Sequence, residues 1–155
     1  MKIEACSRAD FDFIVTHHGD YWDSDLTLRL HHPMFVHEFG DTAYVIRDGG
    51  RIAAYLFGFF AQTGPVAYVH MVAVHPEYRG RKLARRLYEH FIEVAKARGC
   101  TWLKATAAPT NEASIAFHRA LGMTMLGEDN EDGVPVVRGY LRPGVDRVVF
   151  EMGIV

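Results

Sequence analysis

Val72-Ala73-Val74-His75-Pro76-Glu77-Tyr78-Arg79-Gly80-Arg81-Lys82-Leu83-Ala84-Arg85 is the stretch that decides the reading of this chain. An apolar run passes through a turn carrying Gly and three cations and goes straight into a helix. Downstream, Leu83, Leu87, Phe91 and Ala95 recur every four residues, with Arg85, Arg86, Glu89 and Lys96 elsewhere, until Gly99 closes the helix. The first N–H groups of such a helix have no intrahelical acceptor and carry roughly half a positive charge, so the junction suits a phosphate. Arg79, Arg81 and Lys82 add full charges where basic residues are disfavoured unless an anion offsets them. The bland alternative is a basic helix start with no ligand.

Before this stretch, Ala43 to Arg47, Asp48-Gly49-Gly50 and Arg51 to Ala61 form a hairpin signature, and Gly64-Pro65 turns the chain into Val66 to Val74. Three antiparallel strands in series are expected. Earlier still, Ile3 to Cys6 reads as a first strand, and Ser7 with Asp10 three residues on reads as the cap of a first helix. Tyr21 to Phe39 reads as helical but irregular, broken at His31-His32-Pro33. After Gly99, Thr101 to Ala105 is a strand, Asn111 to Leu121 a helix closed by Gly122, and Met123 to Gly127 and Arg147 to Met152 are closing strands. The expected order is β-α-α-β-β-β-α-β-α-β-β.

The chain has 155 residues, 49% of them hydrophobic and 23% charged, which suits one globular domain over residues 1–155 with a sizeable core. Seventeen Lys and Arg against 19 Asp and Glu leave a net charge of −2, giving no electrostatic grip on nucleic acid or on an anionic membrane. Cys6 and Cys100 lack zinc or redox spacing and read as buried thiols. The polar opening MKIEACSRAD lacks an apolar export segment, and Ile52 to Ala61 is half the length of the about 20 residues a membrane helix needs. A cytoplasmic location is expected.

Arg79-Gly80-Arg81-Lys82-Leu83-Ala84 resembles the acetyl-CoA signature of the GNAT family of N-acetyltransferases: Arg or Gln, two residues, Gly, one residue, then Gly or Ala. Asn111 to Met123, an Asn-led helix ending in Leu-Gly and an apolar residue, resembles that family's second motif, in the right order. The resemblance extends over essentially the whole chain. It implies an α/β acyl-CoA N-acyltransferase fold, with a mixed, largely antiparallel sheet flanked by helices. It implies that acetyl-CoA, without a metal, lies in an opening between Val66 to Val74 and Thr101 to Ala105. Met71, Val72, Ala73 and Val74 would pair with the pantetheine through their backbone, Arg79, Gly80, Arg81, Lys82, Leu83, Ala84 and Arg85 would hold the pyrophosphate, and Asn111 would bond the pantetheine arm.

Two departures stand out. Lys82 replaces the signature's central Gly; if that position needs positive φ, the loop must be rearranged, and if it is already helical, Lys costs little. His118 stands where many relatives place the Tyr that protonates the departing thiolate, so it is a candidate acid, the alternative being a half-buried helix His. The family reaction is direct attack of an amine on the thioester. An alkylammonium of pKa roughly 10.4 must first lose a proton, at about 4–5 kcal/mol at pH 7. His70, read at an alternation phase shared with Val72 and Val74, is the candidate base or water relay; the alternative is a sheet His satisfied by a neighbour. Relatives that modify ribosomal-protein N-termini carry a Glu where this chain has Thr106, which argues against that branch.

Between Tyr21 and Phe39 lies an aromatic and histidine-rich block, either core or the wall of an acceptor pocket; Tyr21, Trp22, His37 and Glu38 are the candidate acceptor contacts. Glu128, Asp129, Glu131 and Asp132 would attract a cationic amine or form a solvated turn. The expected function is acetyl transfer from acetyl-CoA to a primary amine of a small molecule. The alternatives are a non-catalytic acetyl-CoA sensor on the same fold, or a peptide N-terminal acetyltransferase. A metal site built from His17, His18, His31, His32 and His37 is disfavoured, because adjacent side chains point apart and no carboxylate set completes the shell. Expected partners are the amine, with a homodimer left open, and neither nucleic acid nor membrane.

Overall fold

The computed structural model describes residues 1–155. Nine strands, β1 (Ile3–Ala5), β2 (Ala43–Asp48), β3 (Arg51–Phe60), β4 (Val66–Val74), β5 (Trp102–Ala107), β6 (Thr124–Met125), β7 (Glu128–Asp129), β8 (Pro135–Arg142) and β9 (Val145–Gly153), form one sheet. Its order is β1-β2-β3-β4-β5-β9-β8-β7, with β6 beside β9. Every pairing is antiparallel except β4 with β5. Four α-helices, α1 (Arg8–Thr16), α2 (Met34–His37), α3 (Leu83–Ala97) and α4 (Glu112–Ala120), complete the mixed α/β architecture.

The sheet separates two hydrophobic cores. One gathers Leu83, Leu87, Tyr88, Phe91 and Ala95 of α3 against Ala67, Val69, Leu103, Ala105, Val148 and Phe150. The other gathers Phe11 and Ile14 of α1 and Phe35 of α2 against Val45, Tyr55, Phe57, Met71 and Ala73. The four-residue recurrence in α3 therefore marks the face it buries. Gly58 allows α3 to come close: a Cβ there would lie 2.8 Å from the Phe91 ring and 2.9 Å from the Tyr68 carbonyl. Ser7 caps α1 as a capping box, its hydroxyl accepting from Asp10 N at 3.1 Å while the Asp10 carboxylate accepts from Ser7 N at 2.9 Å. The β2–β3 hairpin closes on Gly49-Gly50, with Asp48 paired to Arg51 and φ +60° at Gly49. Both cysteines are buried and free. No helix is long and apolar enough to cross a membrane.

The elements follow the expected order through residues 21–39 and depart from it in the last hairpin. Residues 21–39 are helical but irregular, as expected: a 3-10 stretch at Asp25–Leu30 breaks at His31-His32-Pro33 and is followed by the single turn of α2, with a further 3-10 turn at His18–Asp20 just before the segment. A strand not expected from the sequence, β8, pairs with β9 across Pro143-Gly144, where Gly144 supplies the positive φ of 80° that a type II turn requires. It also pairs with β7, so Glu128 and Asp129 sit on an exposed strand and Glu131 and Asp132 in the exposed turn beyond it.

β4 carries the feature that shapes the site. Phe57 pairs with Met71 and Gly58 with Val69, so His70 is an extra residue and β4 is bulged there. The bulge changes which face each side chain meets: Ala67 and Val69 face the α3 core, Met71 and Ala73 face the α1 core, and Val72 and Val74 pack against the α3 core again. The parallel pairing of β4 with β5 stops at the same place, running only from Val66/Trp102 to Val69/Ala105. Beyond it the two strands have no ladder between them, and the sheet forks.

Candidate active site

His75 N donates to the Ala53 carbonyl across β3. The alternation of an antiparallel ladder then turns the N–H and C=O of Val72 and Val74 toward the fork, and those of Met71 and Ala73 toward β3. Of the four residues expected to offer backbone to a cofactor, only Val72 and Val74 turn theirs toward the opening; Met71 and Ala73 also bury their side chains in the α1 core.

α3 begins where the fork opens. None of the N–H groups from Gly80 through Arg85 has an acceptor within the protein, and α3 has no side-chain cap. α4, by contrast, is capped by Asn111, whose Oδ1 accepts from Ser114 N at 3.1 Å, leaving its amide nitrogen to bond elsewhere. Lys82 adopts φ +59° and ψ +24°, the sole non-glycine residue with positive φ. The position therefore does need a left-handed residue, and Lys accepts the conformation at about 1–2 kcal/mol. Gly80 supplies a second left-handed step at φ +78°. The turn thus keeps a concave run of amides despite the substitution, a shape that binds anions.

The cations around it are placed differently from one another. Arg81 stacks on the Tyr78 ring, 5.0 Å from its centroid. Arg85 donates to the Ala120 carbonyl at 3.1 Å and lies 3.5 Å from Glu89, tying α3 to the end of α4. Arg79 and Lys82 are exposed and make no ion pair, and Glu77, the nearest acid in sequence, is engaged by Arg51. A cleft of about 310 Å³ runs past these amides, lined by Val74, Tyr78, Leu83, Phe117 and Ala120. Leu83 itself points into the core, so its part in the turn is its N–H.

His118 is not placed as the expected acid. It is 3% exposed, its Nδ1–H donates to the Ser114 carbonyl at 2.7 Å, and its Nε2 accepts from the Tyr88 hydroxyl at 2.6 Å. The ring stacks on Phe150 at 4.3 Å. Both nitrogens are occupied, and burial holds its pKa below the ordinary histidine value. The residue is a polar clamp between α3 and α4.

His70 faces the other way from Val72 and Val74, because the bulge breaks the phase that the sequence suggests. Its ring stacks on Phe35 at 4.6 Å, and Nε2 lies 2.8 Å from the Leu30 carbonyl. Since a carbonyl only accepts, Nε2 carries the proton and Nδ1 keeps its lone pair. Burial, with Arg147 nearby, lowers its pKa, so the ring is neutral at pH 7. Around it on the same face of the fork stand Tyr68, Thr106 and Arg147; Thr106 Oγ1 is 3.4 Å from both the Tyr68 hydroxyl and Arg147 Nη2.

The expected acceptor contacts are dispersed. Tyr21 is buried and donates to the Ile52 carbonyl at 2.9 Å, which makes it core. Trp22 donates to the Tyr55 hydroxyl at 2.7 Å, Tyr55 donates to His31 Nε2 at 2.8 Å, and His31 Nδ1 donates to the Thr27 carbonyl at 2.9 Å. His37 accepts from Arg8 on the outer surface, and Glu38 is exposed. No three His, Cys, Asp or Glu side chains gather as a metal-holding group.

Burial pushes the His31 pKa down to about 4. The unfolded chain takes up a proton near pH 6.5 that the folded one refuses, so stability is complete above that pH and falls as pH drops toward 4. Discounted for the ring's partial exposure, the loss is about 2 kcal/mol, and His70 and His118 shift in the same direction. Urea unfolding at pH 7 and at pH 4.5 is expected to show it; equal midpoints would mean that the His31 ring is protonated in the folded protein.

Comparison with known proteins shows the family and the fold. The sequence model of the acetyltransferase (GNAT) family matches residues 9–123. The chain belongs to that family. It is 36% identical over 93 residues to the L-2,4-diaminobutyric acid acetyltransferase of Streptomyces coelicolor, covering 58% of this chain and 55% of that protein. It is 28% identical over 148 residues to the L-methionine sulfoximine/L-methionine sulfone acetyltransferase of Salmonella typhimurium, covering 86% of each. Matches to the diaminobutyric acid acetyltransferases span between 36% and 55% of those proteins. Among solved structures, the ribosomal-protein-S18-alanine N-acetyltransferase of Escherichia coli superposes with TM-score 0.68 at 20% identity over 99% of this chain and 93% of that one. An aminoglycoside 6'-N-acetyltransferase complexed with coenzyme A gives 0.68 at 14% identity over 100% and 98%. At these identities the superpositions speak for the fold.

Proposed function

We propose that the protein is an acetyl-CoA-dependent N-acetyltransferase that acts on a primary amine of a small molecule, working in the cytoplasm. The observation that carries this reading is the uncapped start of α3, where unpaired N–H groups from Gly80 to Arg85 stand among Arg79, Arg81 and Lys82 beside the forked strands. That arrangement fits a pyrophosphate, and the free N–H and C=O of Val72 and Val74 fit an amide-bearing arm lying along β4. Two relatives named for acetylating amino acids favour a small-molecule amine.

On the opposite face of the fork, His70 offers Nδ1 as the acceptor for the proton an ammonium must lose. With His118 withdrawn into the core, the thiolate leaves without a side-chain acid at that position. A thiol of pKa about 8.5 tolerates this, being a far better leaving group than an alkoxide.

Calorimetric titration with acetyl-CoA followed by a thiol-release screen over a panel of amines tests the reading. Binding with turnover supports it; binding without turnover on any amine favours the sensor; no binding overturns the donor assignment. Arg79→Glu and Arg81→Glu are each expected to weaken acetyl-CoA by roughly 10- to 100-fold, more at low salt than at high. Unchanged affinity in both variants would remove the phosphate from this turn.

A further inference from the structure

Arg147 is a half-buried cation without an anion. Its Nε is shut off from solvent and has no acceptor, and its single polar contact is the long one, 3.4 Å, to Thr106 Oγ1. No Asp or Glu pairs with it, although Arg8, Arg47, Arg51, Arg85, Arg98 and Arg138 all have carboxylate partners. Burying a guanidinium without a counter-charge is unfavourable, and nothing in the sheet offsets it. Its place in the fold is equally specific. Arg147 is the third residue of β9, on the same face as Val149, which is registered with Thr106 of β5, one residue past the last β4–β5 pair. It shares that face of the fork with His70 and Tyr68, opposite the face where α3 and α4 form the cleft.

We propose that Arg147 is the docking point for a carboxylate on the acceptor, and that the acceptor is accordingly a free amino acid. This rests on the acetyl-transfer reading for the identity of the acceptor, but the carboxylate site itself has its own readout. A guanidinium fork takes a carboxylate through two parallel N–H···O bonds, which fills the unused Nε and fixes orientation as well as charge. With Arg147 and His70 on one face of one opening, the amine presented to the base lies close to the carboxylate held by the arginine. An amine beside a free carboxylate is the pattern of an amino acid; the N-terminus of a peptide carries an amide there, and an aminoglycoside or a polyamine carries no anion. Thr106, between Arg147 and Tyr68, adds a hydroxyl for the same carboxylate.

The test uses the individual protein amino acids and their carboxamides as probes, with the full chain saturated in acetyl-CoA. Thermal shift and calorimetry read binding, and thiol release reads turnover. One or more amino acids are expected to stabilise the wild-type protein, and their carboxamides to bind roughly 10²-fold more weakly. Arg147→Met, which keeps the aliphatic stem, is expected to abolish that preference, raising KM for the acid roughly 10²-fold while leaving acetyl-CoA affinity unchanged. Arg147→Lys restores only part of it, because it keeps the charge and loses the fork. Amino acids that stabilise wild type but not Arg147→Met, with no thiol released, uphold the carboxylate site and overturn acetyl transfer. Carboxamides bound or used as well as acids, a preference that survives Arg147→Met, or no stabilisation and no turnover by any amino acid overturns the inference.

Discussion

His118→Ala should lower the stability of the protein by about 3–5 kcal/mol, the sum of a cavity the size of an imidazole and a phenol left without a partner. The physical cause is the clamp between α3 and α4. Tyr88 is buried beside it and donates to His118 Nε2; without that acceptor its hydroxyl has nowhere to turn. The Ser114 carbonyl loses its side-chain donor as well, and Phe150 loses a stacked ring. Urea unfolding reads the loss directly. A double variant, His118→Ala with Tyr88→Phe, is expected to recover part of it, because removing both polar partners is milder than orphaning one. A variant of wild-type stability with a collapsed kcat would return His118 to the chemistry.

His70→Ala is expected to act on rate, lowering kcat by roughly 10²-fold or more with little change in acetyl-CoA affinity. The pH profile separates this from simple loosening of the Phe35 stack. In the wild type, the ring is held neutral by burial and by the charge of Arg147, and its Nε2–H is committed to Leu30, so the free Nδ1 is the basic site. The folded pKa lies below the ordinary histidine value, so activity persists at neutral pH and falls only as pH drops through that lowered pKa. The variant should lose this acid limb along with its rate. An unchanged limb would assign proton removal to water instead.

The order of the elements was legible because each carries its own local signal: the Ser7-to-Asp10 cap, the two glycines of the hairpin and the four-residue spacing of α3 all act within a few residues. β8 was missed because its outer half, Arg138 to Arg142, is exposed on both faces and shows no alternation. Pro143-Gly144 was its one strong marker. The phase of His70 was misread for a different reason: a period of two counts residues evenly, and a bulge is an uncounted residue. For His118 the sequence showed the substitution but not Tyr88, which reaches it from another helix thirty positions away. Arg147 gave no signal at all, since whether an arginine has a partner is a property of the packed state.

The fork in the sheet has a consequence for how the protein survives in a cell. From His70 to Val74, β4 has a neighbour on one edge only, so a molecule that bonds to Val72 and Val74 serves as a missing strand as well as a ligand. Folding and occupancy are then linked by mass action: at a ligand concentration 100 times its Kd, the folded state gains about 2.7 kcal/mol. The working stability of the chain is in this sense set by supply, and its lifetime would follow the abundance of whatever completes that edge.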